Sequence, residues 1–288
     1  MIEFLPVIIL VFSFLVLLTL GVPVAWCIAM SSMFTLMVAM PFSAATTTVS
    51  QRIGTGLDSF ALLAIPFFIL SGQIMSSGGI AHRLISFAKT LVGFLPGGLA
   101  LINIVSAMMM GAIAGSAMAS ASAMGTILGP EMEKEGYSKE FGAAVNITSS
   151  TTGLVIPPSN TLIVYSLASG GVSIAALFLA GYIPGILTGL FMMIVAIFWA
   201  KKHKYPVGKR SSLKEVFVKF VDAVPSLLLL VIVIGGIIGG VFTATEASAV
   251  AVLYTLLLSF YYKELSLKDL PKVILESTET TAIVMLLI

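Results

Sequence analysis

The chain has 288 residues, of which 58% are hydrophobic and only 10% charged, against roughly 45–50% and about 25% in soluble domains; its mean hydropathy is +1.11. That composition excludes a soluble globular domain and a disordered chain, because no aqueous fold hides so much apolar surface behind so few ionic groups. The net charge of +2 leaves no polybasic footprint for nucleic acid, and the single cysteine, Cys27, excludes an internal disulfide framework and a cysteine-rich zinc site.

Apolar runs of about 20 residues predict membrane-spanning helices over 3–20, 23–40 and 59–77 in the first part of the chain. The first run carries Glu3 where a signal peptide carries positive charge, and it exceeds the roughly 7–15 residues of a signal core, so it reads as a retained span. Cys27 lies in an apolar run and reads as a small packing residue. Arg52, with Asp58 six residues on, reads as a surface residue that either pairs locally or orients a docking protein.

Residues 93–170 differ in kind, because their apolar sequence is broken repeatedly by Gly, Pro, Ser, Thr and Asn. From Gly111 to Gly125, 12 of 15 residues are Gly, Ala or Ser, small enough for backbones to approach closely within a membrane. This predicts a helical hairpin tip, with a pair of tightly packed spans as the alternative. Met108, Met109 and Met110 beside it read as gap-filling core. The following segment, Asn146-Ile-Thr-Ser-Ser-Thr-Thr-Gly-Leu-Val-Ile-Pro-Pro-Ser-Asn-Thr161, interrupts what is otherwise one crossing helix. Pro157 and Pro158 remove two backbone donors and disfavour a helical Ile156, so the helix is predicted to break near 153–159. Thr148, Ser149, Ser150, Thr151, Thr152, Ser159, Asn160 and Thr161 surround that break with neutral oxygens. Neutral oxygens and unwound carbonyls suit a dehydrated Na⁺, and the positive end of the next half-helix suits an anionic substrate. Kinked ordinary spans remain the structural alternative.

Further spans are predicted over 173–200, 224–241, 243–262 and 271–288. Between the first two, 201–219 reads as a basic surface linker plus a short amphipathic helix capped by Ser212, with Glu215 three residues on. His82 and His203 fall in the loops of this reading. Thr243-Ala-Thr-Glu246 has capping-box spacing, so Glu246 reads as a helix cap in preference to an ion ligand. Glu276 and Glu279 read as interfacial. If 93–135 goes in and returns, 14 of the 15 Lys and Arg fall on one face and only Arg52 lies opposite. The positive-inside rule makes that face cytoplasmic and places the N-terminus in the periplasm.

The run Ile113-Ala-Gly-Ser-Ala-Met-Ala-Ser120 followed by Gly153-Leu-Val-Ile-Pro-Pro-Ser159 resembles the large membrane subunit of tripartite ATP-independent periplasmic (TRAP) transporters. Leu63-Ala-Ile-Pro-Phe-Phe-Ile-Leu70, Leu177-Phe-Leu-Ala-Gly-Tyr-Ile-Pro-Gly185 and Gly239-Gly-Val-Phe-Thr-Ala-Thr-Glu-Ala247 are similar to the family's pattern too, in the family's order. The resemblance implies an all-α polytopic membrane protein of the elevator type, with a re-entrant helical hairpin, a broken helix and inverted-repeat architecture. It implies a bacterial inner-membrane permease that imports an organic acid, of the sialic acid or C4-dicarboxylate type, with Na⁺ as coupling ion and no organic cofactor. The implied partners are a small four-span membrane subunit, a periplasmic substrate-binding protein and the phospholipid bilayer. A Na⁺ site is implied at Gly115, Ser116, Ser120, Thr152, Gly153, Pro157 and Ser159, and a substrate site at Ser116, Thr152, Pro158, Ser159 and Asn160. Ala114 and Ala117 replace two polar tip positions of the family, which favours backbone carbonyls as ligands.

The family's second hairpin and second broken helix are not found before Ile288, which implies a partial sequence. Leu20-Gly-Val-Pro-Val-Ala25 is weakly echoed by Gly239-Gly-Val-Phe-Thr-Ala244, where a second repeat begins. The implied divisions are 1–58, scaffold spans and a periplasmic connector; 59–92, a third span and cytoplasmic loop; 93–170, the transport-domain hairpin and broken helix; 171–222, a long span and basic amphipathic segment; and 223–288, the start of the second repeat. Three other readings compete: a stand-alone Na⁺/dicarboxylate symporter, a non-transporting scaffold or channel subunit, and an intramembrane hydrolase. Against the last, Ser116 has no His or Lys in the spans to activate it, so no enzyme is expected.

Overall fold

The computed structural model describes residues 4–77 and 79–287; Glu3 and Ile288, on which the first and last predicted spans begin and end, lie outside them. The described chain forms two compact units, one over Leu63–Thr278 and the other drawn from the described residues up to Leu62 and those from Glu279 on.

In the smaller unit, α1 (Leu5–Thr19) packs on α2 (Val24–Ala39), and α3 (Phe42–Leu57) follows. No described residue of α1 is buried, and Val7, Ile8, Phe12 and Leu15 face outward, a surface that lipid tolerates and water does not. Cys27 is buried, its thiol turned to the Val22 carbonyl. The predicted connector proves to be the 16-residue helix α3. No ion pair joins Arg52 to Asp58 among the described residues.

The larger unit opens at Leu63, the last residue of a 3-10 turn, and continues as α4 (Ala64–Ser77). There follow α5 (Ile80–Val92), α6 (Gly98–Ala114), α7 (Ala117–Lys134), α8 (Lys139–Ser150), α9 (Asn160–Ala168), α10 (Ile174–His203), α11 (Leu213–Ile238), α12 (Ala244–Tyr261) and α13 (Leu270–Leu287), which continues into the smaller unit. Helix α6 lies at the centre, touching α5, α7, α8 and α10, while α4 packs along α12. Among the described residues four helical stretches, Phe60–Ser77, α10, α11 and α12, are long and apolar enough to cross a membrane.

Three expectations need correcting. The segment 80–92, read as loop, is an amphipathic helix that buries Ile80, Ala81, Leu84, Ile85 and Ala88, and it carries His82. His203 ends α10, stacked on Trp199 at 4.5 Å between ring centres. The short helix capped by Ser212 is not separate from the next span. Ser212 does cap, its Oγ accepting from the Glu215 amide at 3.2 Å, but α11 then runs unbroken through Pro225 to Ile238. Pro225 lies inside this helix without ending it; the carbonyl that loses its helical donor is that of Val221, while the Pro225 carbonyl itself accepts from the Tyr254 hydroxyl on α12 at 2.7 Å.

Glu246 completes a capping box: its carboxylate accepts from the Thr243 amide and hydroxyl, both at 2.8 Å, while its own amide donates to Thr243 Oγ1 at 3.2 Å. Arg83 on α5 ties three elements together. It pairs with Asp222 of α11 at 3.5 Å and Glu264 beyond α12 at 3.0 Å, and it lies 3.5 Å over the Tyr262 ring. At the lysine-rich end, Tyr137 and Phe141 stack with Tyr205 and Trp199 at 4.2 Å and 5.8 Å respectively.

Candidate functional site

The hairpin turns in two residues. Helix α6 stops at Gly115, whose φ of +61° favours glycine, and whose amide still donates to the Gly111 carbonyl at 2.9 Å. Ser116 is extended and caps α7, its hydroxyl accepting from the Ala119 amide at 3.4 Å.

The second discontinuity follows the same logic. Helix α8 tightens into a 3-10 turn, Thr151–Leu154, and the chain then unwinds through Val155, Ile156 and the cis-linked Pro157 and Pro158. Ser159 restarts the helix as the cap of α9, accepting from the Leu162 amide at 3.3 Å and donating to the Leu154 carbonyl at 2.6 Å. Its backbone angles, φ −131° and ψ 125°, nearly repeat those of Ser116, φ −139° and ψ 123°. Two helix N-termini therefore open from matching serine caps.

The tip and the break meet. The Asn160 amide donates to the Gly115 carbonyl at 3.4 Å, and a β-carbon on Gly115 would lie 2.7 Å from the Pro158 carbonyl oxygen. Gly111 and Gly153 touch backbone to backbone: a β-carbon on Gly153 would sit 2.9 Å from Gly111 Cα and 3.4 Å from the Ser116 carbonyl oxygen. Gly115, Ser116, Gly153, Pro158 and Asn160 are thus brought together. Ser120, Thr152 and Ser159 are buried beside them. Pro157 turns the other way, toward Gly181 of α10.

The polar chemistry here is neutral throughout. No Asp, Glu, Lys, Arg or His occurs in 98–130 or in 141–200. The hydroxyls of Thr148, Ser150, Thr151 and Thr152 donate to carbonyls one turn back, which occupies their hydrogens and leaves lone pairs free to face a cation. Among the described residues, buried Ser120 Oγ and Asn160 Oδ1 have no hydrogen-bond partner; such orphaned acceptors are costly unless a ligand or water answers them. Helix C-terminal carbonyls and N-terminal amides lie side by side, so one junction offers both a cation-attracting and an anion-attracting pole. The donor set fits a small monovalent cation and has no group for acid–base chemistry.

Three supports were not evident in the sequence reading. Buried Asn103 on α6 accepts from the Ser149 hydroxyl at 3.0 Å, and Asn146 Nδ2 donates to the Ala121 carbonyl at 2.9 Å; together they pin α8 to both arms of the hairpin. An asparagine inside an apolar run was the available signal, since a buried amide needs a partner. The third support is the glycine row Gly181, Gly185 and Gly189 on α10. A β-carbon on Gly181 would collide with the Val155 carbonyl, one on Gly185 with the Ile156 side chain, and one on Gly189 with Met108. The four-residue spacing, typical of close membrane-helix contacts, cradles the unwound strand.

Comparison with known proteins agrees with this architecture. The chain is 54% identical over 283 residues to YgiK of Salmonella typhimurium, covering 98% of this chain and 65% of that one. It is 37% identical over 284 residues to the sialic acid TRAP transporter large permease protein SiaM of Vibrio cholerae, covering 96% and 65%. It is 37% identical over 255 residues to the C4-dicarboxylate TRAP transporter large permease protein DctM of Rhodobacter capsulatus, covering 84% and 58%. The chain spans less than two thirds of the length of each of these relatives. Residues 11–288 match the family described as tripartite ATP-independent periplasmic transporter, DctM component. With its apolar helices and this match, the chain is an all-helical polytopic membrane protein that belongs to the DctM component family of TRAP transporters.

Proposed function

We propose that the chain is the permease part of a Na⁺-coupled importer of an organic acid, moving its site by an elevator displacement. It works with a small four-span membrane subunit and a periplasmic binding protein in a bacterial inner membrane. In this reading, with 93–135 entering and returning to one side, 14 of the 15 Lys and Arg fall on one face, so the lysine-rich end faces the cytoplasm and the N-terminus is periplasmic. Na⁺ takes carbonyl and hydroxyl oxygens from Gly115, Ser116, Ser120, Thr152, Gly153, Pro157 and Ser159. The acid's anionic group meets the paired N-termini at Ser116 and Ser159, with Thr152, Pro158 and Asn160 around it. An organic acid as substrate is supported by relatives named for sialic acid, C4-dicarboxylate and 2,3-diketo-L-gulonate.

The observation that carries this proposal is the junction of two helix breaks, closed by the Asn160 amide on the Gly115 carbonyl and lined by neutral oxygens alone. The test is Na⁺-driven uptake by the complete transporter in proteoliposomes. Gly153→Leu and Ser116→Trp are expected to insert normally and to abolish uptake; wild-type uptake by both would refute the site.

A further inference from the structure

A second site lies at the lysine-rich end, away from the hairpin tip. A cavity of about 340 Å³ opens there between the end of α5, the start of α6, the α10–α11 loop and the first turns of α11, within the roughly 300–1,000 Å³ range of small-molecule sites. Lys89, Lys209, Arg210 and Lys219 line it, opposed by Glu135 and Glu215. Among the described residues none of these four cations lies in an ion pair. Cations crowded around one cavity without partners repel one another, and an anion between them removes that cost.

The cavity is built, not merely bordered by mobile lysines. An isolated β-bridge joins Pro96 to Val207. The Gly93 carbonyl is wedged against Gly98 and Gly208, where a β-carbon would collide with it. Arg210 stacks 5.5 Å over Phe94. These contacts fix the Lys209–Arg210 corner against the beginning of α6. Helix α6, 17 residues long, starts there from Gly97 without a side-chain cap, so its positive end adds to the field of the four cations. Ser86, Thr90 and Ser211 supply hydroxyls on the wall.

We propose that this cavity binds a phosphate group, presented either by an anionic phospholipid headgroup or by a soluble phosphate. Basic pockets between membrane helices have the chemistry for such headgroups, and the cavity brings helix N-terminal amides, hydroxyls and four cations together, with Arg210 held over Phe94. The site is independent of the transport reading, since it shares no residue with the hairpin tip or the break.

The test is native mass spectrometry of the purified, delipidated protein after incubation with phosphatidylglycerol or phosphatidylcholine. Wild-type protein is expected to retain phosphatidylglycerol in preference. A Lys209→Gln/Arg210→Gln variant is expected to lose roughly tenfold or more of that retention. A Lys201→Gln/Lys202→Gln variant removes equal charge from the exposed end of α10, outside the cavity, and is expected to keep it. Competition by inorganic phosphate at matched ionic strength separates the sources: displacement of the lipid assigns the site to the phosphate group from any source, and its failure assigns it to the lipid. Absence of preference in wild type, equal loss in both double variants, or full retention by the cavity variant would each overturn the proposal.

Discussion

Substituting Gly111 by alanine tests the central packing claim, because two effects of known sign oppose each other there. Within α6, alanine gains about 0.8–1 kcal/mol of helix propensity over glycine. The added methyl, however, meets the backbone of Gly153, its amide nitrogen only 2.9 Å away, and a backbone cannot rotate aside as a side chain can. Overpacking of this kind costs about 1–3 kcal/mol. With no flexible atom to yield, the upper part of that range applies, and Gly111→Ala is expected to destabilise by about 1–2 kcal/mol. Gly235→Ala on α11 is the control, since nothing lies within 4 Å of its would-be β-carbon; it keeps the propensity gain alone, about 0.8–1 kcal/mol. Thermal unfolding in detergent ranks the two variants, and hydrogen exchange over 151–160 reads the loosened break. Gly111→Ala melting as high as Gly235→Ala, with unchanged exchange at the break, would refute the backbone contact.

Ser116→Ala and Ser159→Ala each remove an N-cap and are expected to cost about 0.5–2 kcal/mol. The loss is expected to be larger at Ser159, whose hydroxyl also holds the Leu154 carbonyl, and thermal unfolding of the pair checks the order. Thr243→Ala breaks both directions of the capping box and is expected to cost about 1 kcal/mol, measured in the same way. Tyr137, 4% exposed, has its phenol pushed up to about 12 by burial. Its contribution to stability is therefore complete below the ordinary tyrosine value of 10 and is lost as pH rises from about 10 to about 12. Tyr137→Phe is expected to flatten unfolding midpoints across that window, and an unchanged slope would refute the assignment.

The features legible in the sequence are those set by local covalent chemistry. Pro157 and Pro158 cannot continue a helix, Gly115 supplies the positive φ the tip requires, and Thr243 with Glu246 declares a helix start. What escaped depends on partners distant in sequence. The helix Phe42–Leu57 is rich in Thr, Ser and Gly, which have poor intrinsic propensity, so its composition resembles a connector. The span predicted to begin at 224 is the later part of a helix that starts at Leu213 and passes through Pro225. The glycine row of α10 was visible as Gly181 and Gly185, but its purpose depends on the carbonyl of Val155, about 26 residues away, and no local pattern announces that pairing. The echo between Leu20-Gly-Val and Gly239-Gly-Val lies at two helix ends of the same kind, an ending that α7, α9, α10 and α12 also have, so the hydrogen bonding does not single out a repeat. In the first turn Leu20, Gly21 and Val22 donate to Val16, Leu18 and Leu17; in the second Gly239, Gly240 and Val241 donate to Gly235, Ile237 and Gly236. The two turns have the same pattern, the Schellman ending of a helix, although only two of their residues coincide in type.

Helix α10 also serves as a depth gauge. Trp199 and Lys201 are side chains that settle at headgroup level, and the glycines that seat the unwound strand lie 14 and 18 residues before Trp199. At about 1.5 Å per residue that is roughly 21–27 Å along the axis, most of a hydrocarbon slab about 30 Å thick. With α10 upright in such a slab, the unwound strand would stand in the half remote from the lysines, within about 10 Å of the far boundary.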